Sequence, residues 1–210
     1  MEIHIEKLSK EKLDEIINSG MEIFSKNTYI KASVNNIVDK TRISKGSFFN
    51  YFHDKFTFFC FLYDFAIKTL NEDFIDKIDI SNSDFFERMK SVTLLKLQLS
   101  CKYPLLSEFL IKTYFEEDSK IREYILSYNK NYMKQNSDFI YKGIDTSKFK
   151  EGVSIEKVME IITYVSEGIG KKYGTNPKLY SLMAKDFDET MDFLKPCFYK
   201  ELVKWETLLK

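Results

Sequence analysis

Ser44-Lys45-Gly46-Ser47 sets three short residues and one long cation side by side. With Ser44 as an N-cap, the run falls on the first turn of a helix, where unpaired N–H groups and the positive end of the helix dipole favour an anion. Gly46 removes a side chain where the backbone of a polyanion would approach. Ser33, just ahead of Val34, Ile37 and Val38, is a second cap of the same kind. The chemistry these residues suit is phosphate contact, not bond-breaking. The chain has two histidines, both in poor context, and no Ser-His-Asp set is identifiable, so no catalytic residues and no enzymatic activity are expected. Cys60, Cys101 and Cys197 lie far apart, without disulfide or zinc spacing. No metal and no cofactor are expected. Gly168-Ile169-Gly170 with Gly174 misses the dinucleotide fingerprint by one residue and follows no strand, so it reads as a loose helix end with close helix packing.

Charge supports a local anion site rather than a global one. Formal net charge is zero. Between Lys26 and Lys55, however, six cations (Lys26, Lys31, Lys40, Arg42, Lys45, Lys55) face two anions (Asp39, Asp54), an excess of four. The remainder of the chain therefore carries an acidic excess of the same size. Such a patch supplies salt-dependent, sequence-independent affinity for nucleic acid.

The elements that must hold these residues read as helices. Glycine and proline are scarce, at 7 and 3 in 210 residues, and the apolar fraction of 44% is enough for a real core. Leu13, Ile16, Ile17, Gly20, Met21 and Phe24 share one helical face after a cap at Ser9, with Asn27 closing the helix in a left-handed conformation. A short helix follows Ser33, then a turn over Thr41 to Ile43, then a third helix from Lys45 to about Tyr51. A long fourth helix runs from Asp54 to about Lys77. Beyond it the periodicity predicts helices at about Ser83 to Cys101, Pro104 to Phe115, Ser119 to Tyr141, Ser154 to Lys172 and Pro177 to Phe193, with a last one from Cys197 to Leu209. The first ten residues carry acidic side chains and no apolar core, so they are not read as a signal peptide. The most apolar window, Phe56 to Ile67, is too short to cross a bilayer, so no membrane partner is expected; the three scattered cysteines point to a reducing, cytoplasmic location.

Two short capped helices joined by a tight turn after a longer helix form a helix-turn-helix pattern, whose second helix enters the DNA major groove. The residues Ile16-Ile17, Phe24, Tyr29, Ser33-Val34, Ile37-Val38, Ile43-Ser44-Lys45-Gly46-Ser47-Phe48-Phe49-Asn50-Tyr51-Phe52 and Lys55 resemble, in one register, the N-terminal domain of TetR-family regulators. The resemblance covers roughly Leu13 to Phe59. It implies an all-α protein with a three-helix DNA-binding domain (residues 1–53), followed by a helical ligand-binding and dimerisation body (54–210). It implies a double-stranded DNA operator, palindromic for a two-fold dimer, from which a small effector releases a repressor. By position, Ser33 would bond a phosphate, and Ser44, Lys45, Gly46 and Ser47 would face the groove. Asn50 and Lys55 would hold the DNA backbone, and Tyr51 and Arg42 are further contact candidates. Phe49 stands where the family commonly has a phosphate-bonding tyrosine. Arg42 and Thr28 stand where glycine is frequent. A left-handed Arg42 would cost about 1 kcal/mol unless its guanidinium gains a phosphate.

The body is less legible. Its aromatic residues are read first as core, with Tyr114, Tyr128 and Tyr164 as candidates to line a pocket for a small apolar or aromatic effector, because a buried hydroxyl needs a partner. Homodimerisation is expected through the helices at Ser154 to Lys172 and Pro177 to Phe193. Met159, Ile162, Ile169, Tyr180, Met183, Phe187, Met191 and Leu194 are candidate interface residues. The rival readings are a constitutive DNA-binding regulator without effector, a helical enzyme with a vestigial helix-turn-helix, and a helical protein-interaction module.

Overall fold

The computed structural model describes residues 3–174 and 176–200, with backbone alone at 133–138. The described residues form nine α-helices: α1 (Lys10–Lys26), α2 (Val34–Thr41), α3 (Lys45–Phe52), α4 (Lys55–Lys77), α5 (Phe85–Lys102), α6 (Pro104–Thr113), α7 (Ser119–Tyr141), α8 (Ile155–Tyr173) and α9 (Tyr180–Phe198). Short 3-10 turns occupy Thr146–Lys148 and Pro177–Leu179. The protein is all-α, with one isolated antiparallel bridge, Phe149 to Tyr199, among the described residues. No described helix is long and apolar enough to cross a membrane.

Local chemistry explains most helix starts. Ser9, Ser33, Ser44 and Ser154 each accept a backbone N–H from the first turn of the helix they precede. Asp54 does the same for α4, taking the Thr57 amide at 2.6 Å. Pro104 opens α6, where its missing N–H costs nothing.

Three boundaries differ from expectation. Asn27 is extended (φ −130°), not left-handed. Its side-chain amide donates to the Ile23 carbonyl at 2.9 Å, closing α1 without a positive φ. Pro177 opens a 3-10 turn, and α9 proper starts at Tyr180. The same helix runs past Phe193 and through Pro196 to Phe198. The ring removes only one N–H there, and the Lys150 ammonium takes the carbonyls of Pro196 and Cys197, both at 3.0 Å. Of the helix expected at Cys197 to Leu209, residues 201–210 lie outside the described ones.

Packing divides the chain into two compact units, Met1–Asp76 with Leu99–Ser137, and Lys77–Gln98 with Asp138–Lys210. This grouping differs from the division expected at 53/54, because α4, α6 and most of α7 share a core with α1–α3. In the first unit the Phe58 ring meets Phe52 at 4.6 Å, Phe48 at 5.1 Å and Phe24 at 6.3 Å between centroids. Phe24, Phe59 and Phe109 extend that cluster to α6. Gly20 lies directly under Phe58; a Cβ there would stand 2.5 Å from the ring tip and 2.7 Å from a Leu62 methyl.

In the second unit Phe85, Phe86, Phe149 and Tyr199 stack edge to face. Arg88, 1% exposed, donates to the carbonyls of Ile80, Asn82, Ile140 and Lys142. It ties the segment before α5 to the end of α7 and leaves its charge compensated by carbonyl dipoles. α8 packs on α9 and buries Val158, Ile162 and Ile169, while α9 buries Tyr180, Phe187 and Met191.

Gly20→Ala tests the close approach under Phe58. Alanine adds about 1 kcal/mol of helix propensity, but overpacking a core costs about 1–3 kcal/mol. A net loss of stability on the order of 1 kcal/mol is expected in urea unfolding; an unchanged or raised midpoint would show that Phe58 and Leu62 yield freely.

Candidate nucleic-acid interface

α3 is amphipathic in the way a groove-entering helix must be. Phe48 and Phe52, one turn apart, are fully buried. Lys45, Gly46 and Asn50 are exposed, and Phe49 is 40% exposed with its ring edge-on to Phe48. Ser44 Oγ accepts the Ser47 amide at 2.9 Å, and the two hydroxyls lie 2.8 Å apart, so Ser47 is half-buried within the cap. A Cβ on Gly46 would meet nothing closer than Ser44 Oγ at 3.8 Å, which leaves the surface over the first turn open. Tyr51 is half-buried against Phe52, and its carbonyl accepts the His4 amide at 3.0 Å. The segment around Ile3, Ile5 and Leu8 therefore packs beside α3. Sequence reading gave it no role, although Ile3 and Ile5 alternate as an extended half-buried segment would.

Two backbone features frame α3. Arg42 is left-handed (φ 53°, ψ 30°) and exposed, so the arginine takes the conformation that glycine would adopt more readily. His53 has φ 66° and ψ −56°, and the Asp54 amide donates across it to the Phe52 carbonyl at 2.6 Å. That is a γ-turn of the rare, strained hand. It joins α3 to α4 through two residues, His53 and Asp54. Composition held no sign of it, since histidine is an uncommon choice there.

The basic patch is narrower than the residue count suggested. Glu22, on α1, pairs with Lys26 at 2.9 Å and also with Lys40. Those two ammonium groups, Lys40 first, hold the Glu22 carboxyl at about 2, well below the ordinary range. Lys55 turns inward: its ammonium donates to the carbonyls of Tyr29 at 2.8 Å and Ala32 at 3.0 Å and lies 4.3 Å from the centre of the Tyr29 ring. Burial lowers its pKa. Lys31, Arg42 and Lys45 are exposed, as are the ion-paired Lys26 and Lys40. Ser33 is half-buried and spends its hydroxyl on the Asn35 amide at 3.1 Å.

The pocket candidates do not converge. Tyr114 is 72% exposed and Tyr164 is 61% exposed, the latter bonded to Glu160 on its own helix. Tyr128 is half-buried, and its hydroxyl donates to Asp64 at 2.7 Å. Its neighbours behave likewise: Tyr63 donates to Asn129 at 2.8 Å and Tyr124 to the Cys60 carbonyl at 3.3 Å. The Tyr128 hydroxyl, a candidate for a ligand, is thus satisfied between α4 and α7 together with those of Tyr63 and Tyr124. A groove of about 430 Å3, lined by Glu117, Ser119, Arg122, Glu123 and Leu126, lies wide open to solvent and does not enclose a ligand as an effector pocket would. Five of the residues named as interface candidates, Ile162, Ile169, Tyr180, Phe187 and Met191, are consumed inside the chain. The outward apolar side chains on α8 and α9 are Tyr164, Leu182 and Phe193.

Glu116, Glu117 and Asp118 form an acidic run. Glu116 lies between α6 and α7, accepts the amides of Glu117 and Asp118, and also takes the Tyr29 amide at 2.7 Å. Its sequence separation of 87 residues from Tyr29 put that bond beyond any local signal.

Comparison with solved structures places this geometry. The chain is similar to a TetR family transcriptional regulator from Chloroflexus aurantiacus, with TM-score 0.64 and 19% identity over 93% of this chain and 96% of that one. It is similar to a transcriptional regulator from Cytophaga hutchinsonii (TM-score 0.58, 21% identity, 91% and 100% covered). A TetR-like transcriptional regulator from Rhodococcus sp. RHA1 gives TM-score 0.59 at 13% identity, over 97% and 99%. No family model matches the sequence. No curated protein matches it. The chain has the fold of TetR-family transcriptional regulators, with the helix-turn-helix at α2 and α3.

Glu22→Gln should release Lys26 and Lys40. On a random-sequence duplex, binding should strengthen, and the slope of log K against log salt should steepen by about 0.9 for each phosphate newly contacted. An unchanged slope would mean that neither lysine reaches the DNA.

Proposed function

We propose that this chain is a DNA-binding transcriptional regulator. It binds duplex DNA through α3, as a two-fold dimer on a palindromic operator, and acts as a repressor that a small apolar or aromatic effector releases. The observation that carries the reading is the presentation of α3. Phe48 and Phe52 fix the helix to the core while the uncrowded turn at Lys45 and Gly46 faces outward. A helix start with one flexible cation and free space over a glycine suits phosphates and base edges. The similarity to solved TetR-family regulators over nearly the whole chain supports the same reading. In it, residues 1–53 touch DNA and 54–210 carry dimerisation and effector response.

Dimerisation has a candidate surface. Leu182 and Phe193 stand eleven residues apart on α9, three helical turns, and so share one outward face, with exposed Tyr164 on α8. Two apposed α8–α9 pairs would cover them in a four-helix arrangement and set the recognition helices about 34–36 Å apart.

A second reading, a constitutive DNA-binding regulator, is favoured by one specific observation. The hydroxyls of Tyr63, Tyr124 and Tyr128 are already paired across α4 and α7. Reopening that interface for a ligand would require breaking those bonds.

Selection from a random duplex pool, followed by gel-shift titration, tests the function. Lys45→Ala with Ser47→Ala should weaken the selected duplex on the order of a hundredfold and leave the dimer intact. Wild-type affinity in that variant would remove α3 as the recognition helix. Phe193→Glu should convert the dimer to monomer in sedimentation and lower operator affinity; a dimer that survives at micromolar concentration would place the interface elsewhere.

A further inference from the structure

The turn between α1 and α2 is gripped from two sides by residues far from it in sequence. Thr28 to Ala32 closes on itself through the Ala32 amide to the Thr28 carbonyl at 2.9 Å. Ser33, the cap of α2, comes next. On one side the Glu116 carboxylate, from the loop between α6 and α7, accepts the Tyr29 amide at 2.7 Å. On the other the Lys55 ammonium, from the first turn of α4, takes the carbonyls of Tyr29 and Ala32. The Tyr29 ring is itself packed, parallel to Phe24 at 6.2 Å and edge-on to Phe59 at 5.7 Å.

We propose that Glu116 and Lys55 are positioning residues that clamp this turn, set the place of the amino end of α2, and make no contact with DNA themselves. The inference rests on the DNA-binding reading above and deepens it.

The physical argument is one of satisfaction. Glu116 is 7% exposed, so its charge is stabilised by donors rather than by water. It has three backbone amides, those of Tyr29, Glu117 and Asp118. Charge-assisted bonds of this kind are the stronger class. Moving the turn would break one of them and leave part of a buried carboxylate unpaired. Lys55 is bound by the same logic. To reach a phosphate its ammonium would have to abandon two carbonyls and the Tyr29 ring face at once. Position in the motif suggests a phosphate contact for Lys55, whereas its geometry makes it a strut. A turn held by both a cation and a carboxylate carries Ser33 and the first amides of α2 at a fixed place relative to α3. A groove-binding unit needs that placement for its phosphate contacts to register.

The test uses the full chain and two readouts. First, hydrogen exchange of the Tyr29 amide is followed without DNA. Glu116→Ala should raise its exchange by on the order of tenfold or more, while amides inside α1 keep their protection. Exchange at Tyr29 equal to wild type would overturn the clamp. Second, binding is measured on the duplex that the wild-type chain selects from a random pool, across a salt series. Glu116→Ala and Lys55→Gln should each weaken binding about three- to tenfold with the salt slope unchanged, because no phosphate contact is lost. Lys45→Ala, by contrast, should flatten the slope by about 0.9 per phosphate contact removed.

A flattened slope in Lys55→Gln would make Lys55 a phosphate contact and overturn its assignment. Wild-type affinity in Glu116→Ala would overturn the positioning role. Glu116→Gln keeps an acceptor oxygen without the charge and should recover most of the Tyr29 protection; a glutamine variant as unprotected as alanine would overturn the hydrogen bond as the cause. If the wild-type chain selects no duplex, the DNA-binding reading fails, and the exchange measurement still decides whether the turn is clamped.

Discussion

The first unit depends on the packing of Phe48, Phe52 and Phe58 over Gly20. Eight residues of α3 hold little helix on their own, since isolated helices that short are marginal in water. What holds α3 is the burial of two phenylalanines one turn apart against a ring from α4, which itself needs the space that a glycine on α1 leaves open. Full burial of each ring is worth about 1.5–3 kcal/mol, comparable with the strain of the γ-turn at His53 and the left-handed Arg42 that bracket the helix. The outward face of α3 is free to carry Lys45, Gly46 and Asn50 because its inward face alone secures it.

The same economy shows in the charges. A count along the chain suggested a patch of six cations. Three-dimensional pairing removes Lys26 and Lys40 to Glu22 and turns Lys55 into the protein. The exposed cations of the patch with no share in that Glu22 pairing are Lys31, Arg42 and Lys45. Affinity for a polyanion then rests on few contacts, and their placement matters correspondingly more. Rigid anchoring of α2 and α3 follows as a structural requirement.

In the body the notable pattern is polar. Tyr63 on α4 and the row Tyr124, Tyr128 and Tyr132 on α7 each find an acceptor across the helix pair, at Asn129, Cys60, Asp64 and Asn71. Burial raises the phenols of Tyr63, Tyr124 and Tyr128 well above the usual tyrosine range, which keeps them as donors. A helix pair joined this way is specific in register, because a slip of one turn would leave every hydroxyl without its partner. In the second unit Arg88 does comparable work from a single side chain, donating to four carbonyls of two chain segments.

The amino-acid sequence by itself determined the helices and the motif. Serine caps, three- and four-residue apolar spacing and proline at a first turn act within a few residues, so α1 to α9 and the run at Ser44 to Ser47 were legible to within a few residues. Tertiary structure decided which cations pair with Glu22, which tyrosines already have partners, and which interface candidates are spent inside the chain. It also decided that Lys55 points inward and that Glu116 holds Tyr29 across 87 residues. Those facts depend on pairings between distant segments, and a carboxylate or an ammonium carries no mark in sequence of the partner that folding will bring to it.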